Sequence, residues 1–294
     1  MLNFGVNKMY NGIKSIDHPV VAVSDMEASR KVYEKLGFLV PPRGSHVEWG
    51  TGNWCIMFED DYLELRGILD PERYTINLDS VLEQFGEGLM GVAFGTDSAE
   101  ENHNEMVKNG LNPKELKYLG RNFELPEGWV QPRFALCFPN DEDITGLMHV
   151  VLCQHLTPEL IRKPEYLIHP NRVVGVDSMW GVIEDIDQVE SAQQRLLGKE
   201  AVQRVGEGLL LTTPSDQTIH LLSKDEYEKR FGDLSKPAPN GEKTYLGAIT
   251  LKVDDLTKTK QCLENNNIPF EHSDDEIQVA ADFTCGVVMT FIES

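Results

Sequence analysis

Four times along this chain a short apolar run ends at an acidic residue and is followed by a helix-period stretch, a turn and more strand-like sequence. The first copy runs Val20-Val21-Ala22-Val23-Ser24-Asp25, then Met26 to Leu36, then Gly37-Phe38. The second runs Val92 to Asp97, Ser98 to Asn109 and Gly110-Leu111; the third runs Trp180 to Asp185, Ile186 to Leu197 and Gly198. The fourth runs Ile249 to Asp255, then Leu256 to Asn266, ending at Ile268-Pro269. An Asp at such a junction accepts hydrogen bonds from the free N–H groups of the first helical turn. Asp97 with Glu100, and Asp185 with Gln188, have capping-box spacing. Gly37, Gly110 and Gly198 suit the left-handed position that ends a helix. Strand candidates follow each helix, the clearest being Tyr62–Ile68, Arg133–Phe138, Met148–His155, Gln217–Leu222 and Gly286–Ile292.

Each unit therefore reads β-α-β-β-β. Its helix covers one sheet face and leaves the other bare, so a unit must pair with another. The predicted fold is α+β, four such units paired into two domains over residues 13–160 and 172–294. The boundary falls in Thr157 to Arg172, which carries Pro158, Pro164 and Pro170. The polar stretch Lys224 to Lys243, with Pro237, Pro239 and Gly241, reads as a further connector, and Asp141-Glu142-Asp143 as a solvated loop.

Charge narrows the function classes. Lys and Arg number 27 against 48 Asp and Glu, a formal net charge of -21. A phosphate backbone is gripped by a basic stripe, so nucleic acid is not an expected partner, nor is an anionic membrane surface. The five cysteines are odd in number and widely spaced, which speaks against a disulfide framework and for a reducing compartment. Met1 to Gly12 lacks the apolar core of a signal peptide, and no apolar run approaches the ~18 residues of a membrane span. The expectation is a cytoplasmic protein. There is no G-x-S-x-G elbow, P-loop, H-E-x-x-H or Rossmann glycine run.

Strand alternation singles out candidate site residues. Ile16, His18, Val20 and Ala22 share one face of the first strand. In Tyr62–Ile68, Leu63 and Leu65 share a face, which leaves Tyr62, Glu64 and Arg66 opposite. His18 and Glu64 thus both reach the bare face. A carboxylate shielded there needs a partner: a divalent cation shared with the imidazole, or an ion pair with Arg66 or a nearby lysine. A facial metal site needs a third ligand, and His149, Val151, Cys153 and His155 share the bare face of the Met148–His155 strand. In the second half Ser178 stands where His18 does in the first. A His220/Glu293 pair is the metal arrangement left there, and that half reads as mainly structural. On the substrate side, His46, Trp49 and Asn53 lie in a glycine-containing segment. Arg121 and Arg133 are suited to grip a carboxylate or enolate oxygen, with a surface role offsetting acidic charge as the alternative. Trp129, Trp180 and Met179 read as core or pocket lining. His46 and His149 are the candidate acid/base groups.

Several segments together resemble the vicinal oxygen chelate superfamily, in its glyoxalase-like branch. They are Ile16-Asp17-His18-Pro19-Val20-Val21-Ala22-Val23, Tyr33-Glu34-Lys35-Leu36-Gly37-Phe38, His46-Val47-Glu48-Trp49-Gly50-Thr51-Gly52-Asn53 and Tyr62-Leu63-Glu64-Leu65. Cys153-Gln154-His155-Leu156-Thr157-Pro158-Glu159 and His169-Pro170-Asn171 add to them, so the resemblance covers about residues 13–171. It implies paired units forming cup-shaped mixed sheets whose concave face holds a divalent metal. By this resemblance the ligands are His18, Glu64 and His155, with His149 as the alternative third, and Fe, Mn, Zn and Ni are not distinguished. Leu89, Met90 and Gly91 depart from the pattern where a further ligand is often found. The resemblance implies a metal-dependent enzyme acting on a small oxygen-rich organic substrate as an isomerase, lyase or extradiol-type dioxygenase. The alternative is a metal-free or non-catalytic protein that sequesters a small molecule. The expected partner is a small-molecule substrate, and a homodimer is left open.

Overall fold

The computed structural model describes residues 11–125, 128–147, 149–236 and 243–294. Met148, Pro237, Pro239 and Gly241, read above, lie outside the described residues. The first unit is β1 (Ile13–Ala22), α1 (Met26–Lys35), β2 (Gly44–His46), β3 (Thr51–Met57) and β4 (Tyr62–Ile68). Helix α2 (Leu78–Phe85) leads to the second: β5 (Gly88–Thr96), α3 (Ala99–Lys108), β6 (Lys117–Leu125), β7 (Gly128–Val130), β8 (Arg133–Cys137) and β9 (His149–His155). The third is β10 (Val173–Val182), α4 (Ile186–Leu197), β11 (Val202–Val205), β12 (Gly208–Thr212) and β13 (Thr218–Leu222). Helix α5 (Lys224–Phe231) leads to β14 (Tyr245–Val253), α6 (Leu256–Asn265), β15 (Glu271–His272), β16 (Glu276–Val279) and β17 (Val288–Glu293).

Units pair in the same way in both halves. Strand β1 runs parallel to β4 and antiparallel to β5, and β5 runs parallel to β9. Strand β10 has the same relations to β13 and β14, and β14 to β17. The first sheet has nine strands in the order β2-β3-β4-β1-β5-β9-β8-β6-β7, and β2 also pairs with β6, so it closes on itself. The second has eight strands in the order β11-β12-β13-β10-β14-β17-β16-β15.

The junction acids cap three of the four unit helices as predicted: Asp25 accepts from Ala28 N–H at 2.9 Å, Asp185 from Gln188 N–H at 3.0 Å and Asp255 from Lys258 N–H at 2.9 Å. In the second unit the cap is Ser98, accepting from Glu101 N–H at 3.1 Å, while Asp97 pairs with Lys14. Gly37, Gly110 and Gly198 take positive φ.

Side chains on the helix-facing sides, among them Val21, Leu63, Phe94, Leu152, Met179 and Leu251, join in one core that runs through both halves. The opposite faces carry separate clusters. In the second half this cluster includes Tyr227 and Phe231 of α5, packed with Tyr245, Ala248 and Val288. The polar stretch from Lys224 is thus a helix at its start rather than a connector. Its aromatic residues fall at i and i+4, on one helix face, and fill the second cup. Helix α2 covers less of the first cup, burying Leu78 and Val81 against Val20, Ala22 and Met90.

The segment between the halves is docked. His169 Nδ1 accepts from Leu39 N–H at 3.0 Å and its Nε2 donates to Met57 O at 2.9 Å, while Asn171 Nδ2 donates to Leu36 O at 3.1 Å. Asp61, in the turn between β3 and β4, reaches into the second half. It accepts from Val176 N–H at 3.1 Å and from Gln217 Nε2 at 2.9 Å. No helix among the described residues is long and apolar enough to cross a membrane.

Burial pushes the Asp61 carboxyl up to about 7. Between the usual carboxylate value and 7, the folded chain therefore holds a proton that the unfolded chain has released, so this group's contribution to stability falls as pH rises through that window. Denaturant titrations should show wild type losing stability relative to Asp61→Asn between about pH 4 and pH 7, by a few kcal/mol at most. The difference should level off above about pH 8. A difference that does not change with pH would show that Asp61 keeps its charge.

Candidate functional site

A β-bulge builds the centre of the first cup. Ile16 lies opposite Phe94 and His18 opposite Ala93, so Asp17 is an extra residue on β1. Such an insertion re-aims the side chains around it. Ile16 therefore turns into the helix-side core, in contrast to the shared face expected for Ile16 and His18, and Asp17 and His18 are buried side by side.

A line of alternating charges crosses the cup from this bulge. Arg66 donates to both oxygens of Glu64, Nε to Oε1 at 2.9 Å and Nη2 to Oε2 at 2.7 Å. Asn53 Nδ2 donates to Oε1 at 2.9 Å, and His18 Nε2 lies 3.0 Å from Oε2. His18 Nδ1 meets Asp17 Oδ2 at 2.7 Å, and His155 Nε2 meets the same oxygen at 3.0 Å. Tyr62 stacks on the His18 ring at 4.2 Å. Burial works against every charge here, and the partners prevail. Glu64 is held well below the usual carboxylate range by Arg66 and His18, Asp17 below it by His155 and His18, and His18 is raised by Asp17 and Glu64. Carboxylates only accept, so His18 donates from both nitrogens, as an imidazolium does.

Next to this line lies a polar recess lined by His18, His46, Asn53, Glu64, Arg66 and Arg121. It adjoins a cavity of about 460 Å³, sharing Trp49, Arg66, Leu119, Leu136 and Val151 with it. Phe138, Tyr118, Val92 and Val150 make the larger cavity mainly apolar, and His149, Lys114, Lys117, Glu48 and Asp141 also border it. His46 on β2 and Arg121 on β6 are opposite each other across the seam that closes the sheet. His46 Nδ1 is 3.1 Å from Thr51 O and 2.8 Å from Thr51 Oγ1, which leaves Nε2 for the recess. Burial, with Arg66 and Arg121 nearby, lowers His46 to about 4, so its imidazole is neutral near pH 7. Burial likewise lowers His149.

Of the residues selected from sequence, His18, Glu64, His46, Trp49, Asn53 and Arg121 meet at this recess. His149 sits apart in the larger cavity, and His155 faces Asp17. Arg133 is exposed at the start of β8. Trp129 is 66% exposed rather than core, and Trp180 stacks on His220 at 3.8 Å. Glu293 is exposed at the end of β17, with β10 and β14 between it and the His220 strand. Asp17 escaped the alternation argument because the bulge breaks alternation, although it stands beside His18 in sequence. Arg66 had been read as a partner for Glu64, and the structure shows that pair.

A three-ligand metal centre on His18, Glu64 and His155 does not fit this arrangement. A metal-binding histidine must offer a lone pair, and both His18 nitrogens meet carboxylates. The Glu64 oxygens are engaged by Arg66, Asn53 and His18, so an ion there would sit against a guanidinium. The trio of His, Cys, Asp or Glu donors that comes together within 4.8 Å among the described residues is Asp17, Cys153 and His155.

Comparison with known proteins agrees with the architecture. The chain is similar over its whole length to a hypothetical protein from Staphylococcus aureus, with TM-score 0.67, 12% identity, and 95% of this chain and 98% of that one covered. It is also similar to a mutant 4-hydroxymandelate synthase from Streptomyces coelicolor, with TM-score 0.61, 12% identity, and 96% and 93% covered. A xylose isomerase-like TIM barrel/4-hydroxyphenylpyruvate dioxygenase fusion protein matches with TM-score 0.56 and 10% identity, over 97% of this chain and 48% of that one. At these identities the likeness shows the fold alone. No curated protein matches the sequence significantly. The family model of a glyoxalase-like domain matches residues 16–197. This chain, with its paired β-α-β-β-β units (the second carrying the added strand β7) and its cup, belongs to the glyoxalase-like domain family of the vicinal oxygen chelate superfamily.

Proposed function

We propose that this chain is a small-molecule enzyme whose first cup takes an oxygen-rich organic substrate and moves a proton at a carbon next to a carbonyl, using the protein's own groups. The observation that carries this reading is the neutral His46 imidazole, with Nε2 free, at the polar end of an otherwise apolar cavity and beside the buried Arg121 guanidinium. The apolar body of the substrate occupies the larger cavity. His46 Nε2 accepts the proton, the electron pair of the broken C–H bond moves onto the carbonyl oxygen, and the resulting enolate is stabilised by Arg121. Return of the proton to a neighbouring atom gives an isomer and restores the imidazole. The Arg66–Glu64–His18–Asp17–His155 line holds the recess in shape. A specific observation favours the second reading, binding without turnover: Arg66, Glu64, His18 and Asp17 are engaged with one another and offer no free acid or base to a bound molecule.

Two expectations follow from these roles. Screened against 2-oxo and 2-hydroxy carbonyl compounds, the wild type should turn over at least one, and His46→Gln should lower kcat about a hundredfold or more with little change in binding. Turnover should survive exhaustive chelation; loss on chelation and recovery with a divalent cation would overturn the protein-only reading, and binding without any turnover would support sequestration. Asp17→Asn, which leaves His18 and His155 facing a neutral amide, should destabilise the fold by about 3–5 kcal/mol in chemical denaturation, the cost of breaking a buried pair. A loss under about 1 kcal/mol would place Asp17 in the class of an exposed pair.

A further inference from the structure

Arg121 is 3% exposed, and no carboxylate among the described residues forms an ion pair with it. A buried charge is costly unless it is paired, and the other charges of the cup are paired. Glu64 has Arg66 and His18, and Asp17 has His18 and His155, with Arg162 at 3.8 Å. Arg121's hydrogen-bond partners are neutral: Nη1 lies 2.6 Å from Cys55 Sγ and 3.4 Å from Asn53 Oδ1, and Nε is buried with no partner. Glu64 attracts it only through space, its own oxygens being held by Arg66, Asn53 and His18. Cys55 is no hidden counterion, because burial pushes its thiol up to about 12.

The position is also built. The guanidinium carbon lies 5.4 Å from the Phe123 ring centre and 5.9 Å from that of Phe134, so aromatic faces hold its plane. Gly44 on the neighbouring strand leaves room for the stem; a Cβ there would fall 2.6 Å from Arg121 Cδ. The side chain borders the polar recess, which adjoins the apolar cavity. Glu64 and Asp17 are taken up by closer partners, and Arg121 is the buried cation of the recess with no carboxylate in hydrogen-bond contact.

We propose that Arg121 is the receptor for a carboxylate carried next to the reacting carbonyl, so that one guanidinium meets both groups and the substrate is an organic carboxylate with its apolar body in the adjoining cavity. The inference rests on the enzyme reading for its cup but not for its chemistry, and binding tests it without turnover. The probes are acetate and 3-phenylpropanoate, each compared with its neutral amide by calorimetry and thermal shift at constant ionic strength. The carboxylates should bind the wild type at least about tenfold more tightly than the amides, the range of a hydrogen bond to a charged group. Arg121→Gln should abolish that preference, and Arg121→Lys should retain part of it. His46→Gln should keep it, which separates a failed reaction from a failed anion site.

Equal binding of carboxylate and amide to the wild type, binding of no carboxylate probe, or an undiminished preference in Arg121→Gln would each overturn the proposal. Should Arg121→Gln not fold, the wild-type comparison decides alone.

Discussion

A β-α-β-β-β unit covers only one side of its sheet, and this constraint shapes the whole chain. Pairing β1 with β5, and β10 with β14, joins two bare faces into one curved surface in each half. The helix-facing sides merge into one core, whose residues each contribute on the order of 1.5–3 kcal/mol through burial. What is left is a concave surface per half, and the halves treat it differently. In the second, α5 lays Tyr227 and Phe231 onto it. In the first, α2 covers one end and the remainder stays a cavity.

Closure of the first sheet turns that cavity into a site. The β2–β6 pairing sets His46 opposite Arg121, bringing together residues from two different units. The bulge at Asp17 adds a second buried carboxylate beside Glu64. Charges in such a place persist only when matched, and Arg66, Glu64, His18 and Asp17 are matched to one another, with His155 hydrogen-bonded to Asp17. In this matching His18 and Glu64 are engaged by each other, by Arg66 and by Asp17. The same ledger leaves Arg121 as the group with no carboxylate in hydrogen-bond contact.

Much of the fold was legible from residue order because helix caps and strand alternation are local. Asp25, Asp185 and Asp255 could be read as caps since the bond they make spans three residues. Asp97 could not be told from Ser98 by the same rule, since both stand at the junction; Ser98 caps, and Asp97 pairs with Lys14, a neighbour only in space. The face shared by Tyr62, Glu64 and Arg66 was correct because β4 is regular, and the face assigned to Ile16 failed because β1 is not.

By itself, then, the sequence offered four repeats, their pairing into two α+β domains, resemblance to a glyoxalase-like family and the set His18, His46, Trp49, Asn53, Glu64, Arg121, Arg133, His149 and His155 from which a site could be drawn. The repeats and strand faces are consequences of periodicity and spacing along one chain, whereas the family rests on the resemblance of particular segments and on the family model. Only the tertiary structure decided which of these side chains meet and in what charge state. It inserted Asp17 between histidines more than a hundred residues apart in sequence, turned Arg66 onto Glu64, and left Arg121 buried with no carboxylate in hydrogen-bond contact. Ion pairing and desolvation act through space, and no pattern in residue order encodes them.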